Sequence, residues 1–187
     1  MGKSYWLVAV ASLVTAVAQA DEQGKVYIAP FVGSTHLRID AGRVYGESDT
    51  IRFDSLALGV AAGFRAPFGL IVEVGHSSST HANIFDDHGD YELTEGYGSV
   101  GWAFPLSDVW RLTPRVGRGN WDLSSNHRVL LDGAGERHRT VSGWANFWGV
   151  SLSRDLNSVI SMGIDFKDVD EEFGHARSGT FMVSFRF

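Results

Sequence analysis

His76-Ser77-Ser78 places an imidazole two residues from a hydroxyl. A histidine base beside a serine is the pair that acyl transfer needs, with Asp90 or Glu92 as the orienting acid. The plainer reading is the polar end of a strand, since Ser77-Ser78-Ser79-Thr80 continues in the same chemistry. That reading is preferred, because spacing alone does not bring a base to a nucleophile, and no catalytic residue is assigned. Seven histidines occur: His36, His76, His81, His88, His127, His138 and His175. Three of them crowd one stretch with Asp86, Asp87 and Asp90, yet no tight metal spacing such as H-E-x-x-H occurs, so no metal or cofactor is assigned. The chain has no cysteine, which excludes disulfide scaffolds, thiolate zinc sites, iron–sulfur clusters and cysteine nucleophiles. A net charge of −6 argues against a nucleic-acid partner.

The remaining chemistry lies in charges with a common setting. Glu73, Glu95, Arg111, Arg115, Asp165, Lys167 and Arg186 each sit among Gly, Ser, Ala or Thr on one face of an alternating segment. The opposite face is apolar. Leu56, Leu58, Val60, Ala62 and Phe64 alternate with Ser55, Ala57, Gly59, Ala61 and Gly63. Ile160, Met162, Ile164 and Phe166 alternate with Ser161, Gly163, Asp165 and Lys167. A strict period of two means strands. The segments 25–36 and 140–153 are less regular. In the second, Trp144, Trp148 and Leu152 share a face with Asn146, which predicts a bulge or a girdle position.

Eight strands follow, near 25–36, 52–64, 69–79, 91–104, 109–121, 140–153, 158–168 and 176–187. The connections at 65–68, 105–108 and 155–157 are short, and those at 37–51, 80–90, 122–139 and 169–175 are longer and polar. Short turns at one end and long loops at the other, with a nearly uncharged outer face, predict an all-β, eight-stranded antiparallel up-and-down transmembrane β-barrel. A soluble barrel would reverse the faces, with large apolar residues inside and charge outside. Asp86, Asp87, Asp90 and Glu92 gather around the second long loop, and Asp168, Asp170, Glu171 and Glu172 around the last, where solvated charge is the simple reading.

Residues 1–20 read as a leader: Lys3, an apolar stretch from Tyr5 to Val17, then Ala18-Gln19-Ala20. Residues 21–187 are then the barrel domain. The inward charges must pair inside a narrow, low-dielectric interior. The preferred reading is a network that fills the barrel, with a gated ion path as the alternative. Between Glu73 and Glu95 on strands three and four and Arg111 and Arg115 on strand five, at least one Glu–Arg ion pair is expected.

The terminal run Gly179-Thr-Phe-Met-Val-Ser-Phe-Arg-Phe187 alternates and ends in phenylalanine. Together with the leader and the eight-strand pattern, it resembles the small eight-stranded outer-membrane barrels of the OmpA transmembrane-domain and OmpX/Ail type. That resemblance implies a cell outer-membrane location and partners among membrane lipids, lipopolysaccharide and the barrel-assembly machinery. Phe181, Val183, Phe185 and Phe187 would form the assembly signal. It also implies a structural or surface-contact role without turnover, toward an unidentified extracellular partner. A channel for ions or small solutes is the first alternative. A lipid A-modifying hydrolase is the second: His76-Ser77-Ser78 is similar to the His-x-Ser element of outer-membrane lipid A deacylases, but lies on an earlier strand and lacks the asparagine that follows it there.

Overall fold

The computed structural model describes residues 24–40, 50–81, 90–127, 137–171 and 174–187. Its strands are β1 (Lys25–Asp40), β2 (Thr50–Arg65), β3 (Leu70–His81), β4 (Asp90–Trp102), β5 (Phe104–Pro105), β6 (Trp110–His127), β7 (Arg137–Asp155), β8 (Ile160–Glu171) and β9 (Gly174–Arg186). Each pairs antiparallel with its neighbour. The pairings β1–β9 and β4–β6 close the sheet on itself. β5 is a continuation of β4, because Phe104↔Leu112 keeps the register of Gly101↔Arg115. The result is an eight-stranded barrel.

Proline explains where the ladder lapses. Between Gly101↔Arg115 and Phe104↔Leu112 the β4–β6 pairing is interrupted opposite Pro114, which has no N–H to donate. The β1–β9 pairing breaks at Ala29 and Pro30 in the same way, then resumes at Phe31↔Met182. The bulge expected in 140–153 is absent: Trp110↔Arg154 to His127↔Arg137 runs without a break. Asn146 is exposed on the outer face between Trp144 and Trp148.

The short turns use local chemistry. Pro67 leads a turn in which Gly69 N–H donates to Ala66 O at 3.0 Å, and Gly69 takes φ 104°, open to glycine at little cost. Ser107 Oγ accepts the amides of Val109 and Trp110 at 3.3 and 3.1 Å. Asn157 Oδ1 accepts those of Val159 and Ile160 at 2.8 and 2.7 Å. At the other end the strands extend further than their sequence predicts. Residues 37–40, 80–81, 122–127, 137–139, 169–171 and 174–175 are strand rather than loop. Asp170 and Glu171 therefore stand on β8, not in a loop. The leader expected over 1–20, and Asp86, Asp87, His88 and Glu172 of the long connections, lie outside the described residues.

Odd-numbered residues face inward on β1 to β8 and even-numbered ones on β9, because the β8–β9 register pairs odd with even. The outer wall carries an exposed apolar belt. Val116 is 64% exposed, Ile164 60% and Leu58 53%, a pattern that water does not favour on a contiguous surface. Toward the long-loop end the same wall turns polar. His36 meets Asp54 at 2.9 Å, and Asp168 meets Arg177 at 3.0 Å and His175 at 3.1 Å.

Candidate functional site

The barrel interior is stratified. At its middle, Arg115 from β6 reaches past β4 and donates to Glu73 Oε1 on β3. Its other terminal nitrogen donates to Asp165 Oδ2 on β8 at 2.6 Å. Two phenols complete the coordination of Glu73: Tyr27 Oη donates to Oε2 at 2.7 Å and Tyr97 Oη to Oε1 at 3.3 Å. Lys167 donates to Glu95 beside this group. Its ammonium lies 5.1 Å from the centre of the Tyr97 ring and 5.5 Å from that of Phe147, and the Arg115 guanidinium lies 5.8 Å from both. The side chains of Glu73, Arg115 and Lys167 are each 9% exposed and that of Asp165 6%, so these charges meet each other far more than solvent.

Toward the short turns lies a second, basic group. Asp155 at the end of β7 accepts from Arg111, and Arg186 Nη1 sits 2.8 Å from its Oδ1, close enough for an ion pair though not aligned for a hydrogen bond. Arg186 also donates to the carbonyls of Asn157 and Ile160. Toward the long loops an apolar cluster faces the buried hydroxyls of Thr35, Ser79 and Ser178. Leu37, Leu93, Tyr97, Trp121, Leu123, Phe147 and Val169 form a buried cluster above the ion layer. Of the packed polar interior that the sequence predicts, the charges occupy the middle and the short-turn end, and at the long-loop end buried hydrocarbon stands beside hydroxyls.

Glycines make this packing possible. Tyr27, Phe31, Tyr97, Trp121 and Phe147 lie directly across from Gly63, Gly59, Gly75, Gly143 and Gly117 in the ladders. Each ring occupies the space that a Cβ would need. The opposing wall of β1, β2, β3 and β9 carries Ala29, Ala57, Ala61 and a hydroxyl relay in which Thr35 Oγ1 hydrogen-bonds with Ser79 at 3.2 Å and Ser178 at 2.9 Å. A cavity of about 30 Å³ remains beside the ion layer on the long-loop side, and one of about 70 Å³ on the short-turn side.

Of the charges expected inside, Glu73, Arg115 and Asp165 form one cluster and Glu95 and Lys167 a pair. Arg111 and Arg186 meet instead at Asp155, near the short turns. The expected Glu–Arg contact occurs for Glu73, whereas Glu95 reaches Lys167 and not an arginine. Tyr27, Tyr97 and Asp155 are members that the sequence reading missed. The Tyr-to-Gly matching was the available signal for the first two. On the outer wall, Ser78 Oγ donates to Glu92 at 3.3 Å, and no hydrogen bond joins it to His76 among the described residues. Phe187 donates its amide to Val26 O at 2.9 Å, and Phe181, Phe185 and Phe187 point outward.

Comparison with solved structures finds similar barrels, of which three follow. Neisserial surface protein A matches with a TM-score of 0.67 at 10% identity, over 87% of this chain and 97% of that one. Ail, the attachment invasion locus protein of Yersinia pestis, matches with a TM-score of 0.61 at 12% identity, over 88% of this chain and 99% of that one. The outer-membrane protein OprG from Pseudomonas aeruginosa matches with a TM-score of 0.53 at 8% identity, over 88% and 95%. The fold is that of the small eight-stranded outer-membrane barrels. No family model and no curated protein matches the sequence.

Proposed function

We propose that this chain spans the outer membrane as a closed barrel and acts as a structural or surface-contact element, without turnover. The observation that carries the reading is the interior. Charged side chains bridge opposite walls at mid-height, aromatic and aliphatic ones pack toward the long-loop end, and the two cavities beside the ion layer are of about 30 and 70 Å³. An eight-stranded barrel is narrow enough for side chains to fill it. Activity would then reside on its outer surfaces. The exposed apolar belt supports contact with lipid, and the polar collar above it suits the headgroup region of lipopolysaccharide. By the usual orientation of such barrels the short turns face the periplasm and the long loops the outside, toward a partner of unassigned kind. Residues 1–20 would be removed as a leader, and the outward Phe181, Val183, Phe185 and Phe187 would be read by the assembly machinery.

The test is a comparison of Gram-negative cells with and without the protein. Altered envelope integrity or surface adhesion, with unchanged lipid A mass and unchanged small-solute uptake, is the expected result. A new lipid A species would replace this reading with hydrolysis. A narrow channel is the second reading, favoured by the cavities on either side of the Arg115 layer. Faster uptake of small ions into vesicles would support it.

A further inference from the structure

We propose that the short-turn mouth of the barrel binds a small oxyanion of the phosphate type. The inward side chains of Lys25, Arg65, Arg111 and Arg186 meet there. Asp155 is the carboxylate that pairs with any of them among the described residues, and it pairs with Arg111 and Arg186. Lys25 and Arg65 make no ion pair or hydrogen bond among the described residues. Arg65 has Arg111 and Arg186 as charged neighbours along with Asp155. Four cations at the mouth share Asp155, while Glu73 at the floor of the space is already paired with Arg115; the excess positive charge repels itself in a partly desolvated space, and an anion relieves that repulsion.

The space has the shape and lining of a site. The cavity of about 70 Å³ on this side of the ion layer is lined by Lys25, Arg65 and Arg186 and by hydroxyls that include Ser151 and Ser161, and its floor is the paired Glu73 and Arg115. Next to it, an outer vestibule of about 450 Å³ shares Lys25 and Arg65 and adds Arg111. The Arg186 side chain is 5% exposed, and its Nε has no hydrogen-bond partner among the described residues. Donors in excess over acceptors, most of them on guanidinium groups, match an oxyanion with several acceptor oxygens. A cation is excluded by the sign of the charge, and a neutral sugar would leave the charges unbalanced.

The test uses the full-length barrel folded in zwitterionic detergent and titrated with inorganic phosphate against chloride at equal ionic strength. Phosphate should raise the thermal unfolding midpoint beyond the effect of chloride. In Lys25→Gln/Arg65→Gln, phosphate affinity should fall at least tenfold, while Arg118→Gln on the outer wall leaves it unchanged. Neither replaced group has an ion-pair partner among the described residues, so the double variant should fold in chloride. Lys25→Gln alone gives the same comparison if it does not. Vesicles of phosphatidylcholine and of phosphatidylglycerol separate the two sources of the ligand. Equal phosphate affinity in both supports a soluble oxyanion, and weaker affinity in phosphatidylglycerol supports occupancy by a lipid phosphate. A phosphate effect no larger than that of chloride, or one unchanged in the variants, overturns the proposal.

Discussion

Tyr97 lies directly across from Gly75 in the β3–β4 ladder, with its ring in the space that a Cβ on Gly75 would take. The ring packs edge-on against Phe147 at 5.5 Å and aims its hydroxyl at Glu73. Gly75→Ala should therefore displace the ring and loosen the ion layer, at a cost of about 1–3 kcal/mol. The same change at Gly179, where an added Cβ meets nothing within 4 Å, should cost nothing measurable. Urea unfolding in lipid vesicles measures both. If Tyr97→Ala removes most of the penalty of Gly75→Ala, the two are coupled as the geometry requires.

Glu95 and Lys167 form the simplest ion pair of the interior. Removing one partner of such a pair typically costs about 3–5 kcal/mol, because the other charge is left buried and unmatched. Lys167→Ala should destabilise more than Lys167→Ala with Glu95→Ala. A cycle of Glu95 with Arg115 should show far weaker coupling. Equal coupling in both cycles would mean that the barrel pairs Glu95 differently.

Phe147→Ala should be among the most damaging single truncations, by about 3–5 kcal/mol. The ring is buried, covers Gly117 and presents its face to the charges of both Arg115 and Lys167. Unfolding by urea with tryptophan fluorescence gives the value. A loss near that of an exposed residue such as Trp144 would contradict the packing.

Much of the fold is legible because the two faces of each strand meet different surroundings. The alternation in Leu56–Phe64 is enough to assign both the strand and its outward face. The height of the interior layers is not legible in the same way. Leu37, Leu123 and Val169 lie just past the sequence-predicted strand ends at 36, 121 and 168, so hydrocarbon that packs inside reads as the start of a loop. Parity also places Glu95 inside without saying which wall its side chain reaches. Lys167 lies 72 residues away, and only closure of the barrel brings the two together. Asp155 looks like a turn residue because the last inward position of a strand and the first residue of a polar turn have the same composition.

Changing Phe187 to Ser, or deleting it, should strongly reduce insertion, because the residue ends an outward row with Phe181 and Phe185 and ties β9 to Val26. Immunoblots of outer-membrane fractions read the outcome. Folded protein at the normal level would count against an assembly role for this row.

The central claim, that the interior is closed, is tested most directly by single-channel recording of the purified barrel in planar bilayers. The filled interior predicts no steady conductance above the bare bilayer for the native chain. It predicts small openings after Arg115→Ala, which removes the bridge from Glu73 to Asp165. A stable open state in the native barrel, unchanged by Arg115→Ala, would contradict the account.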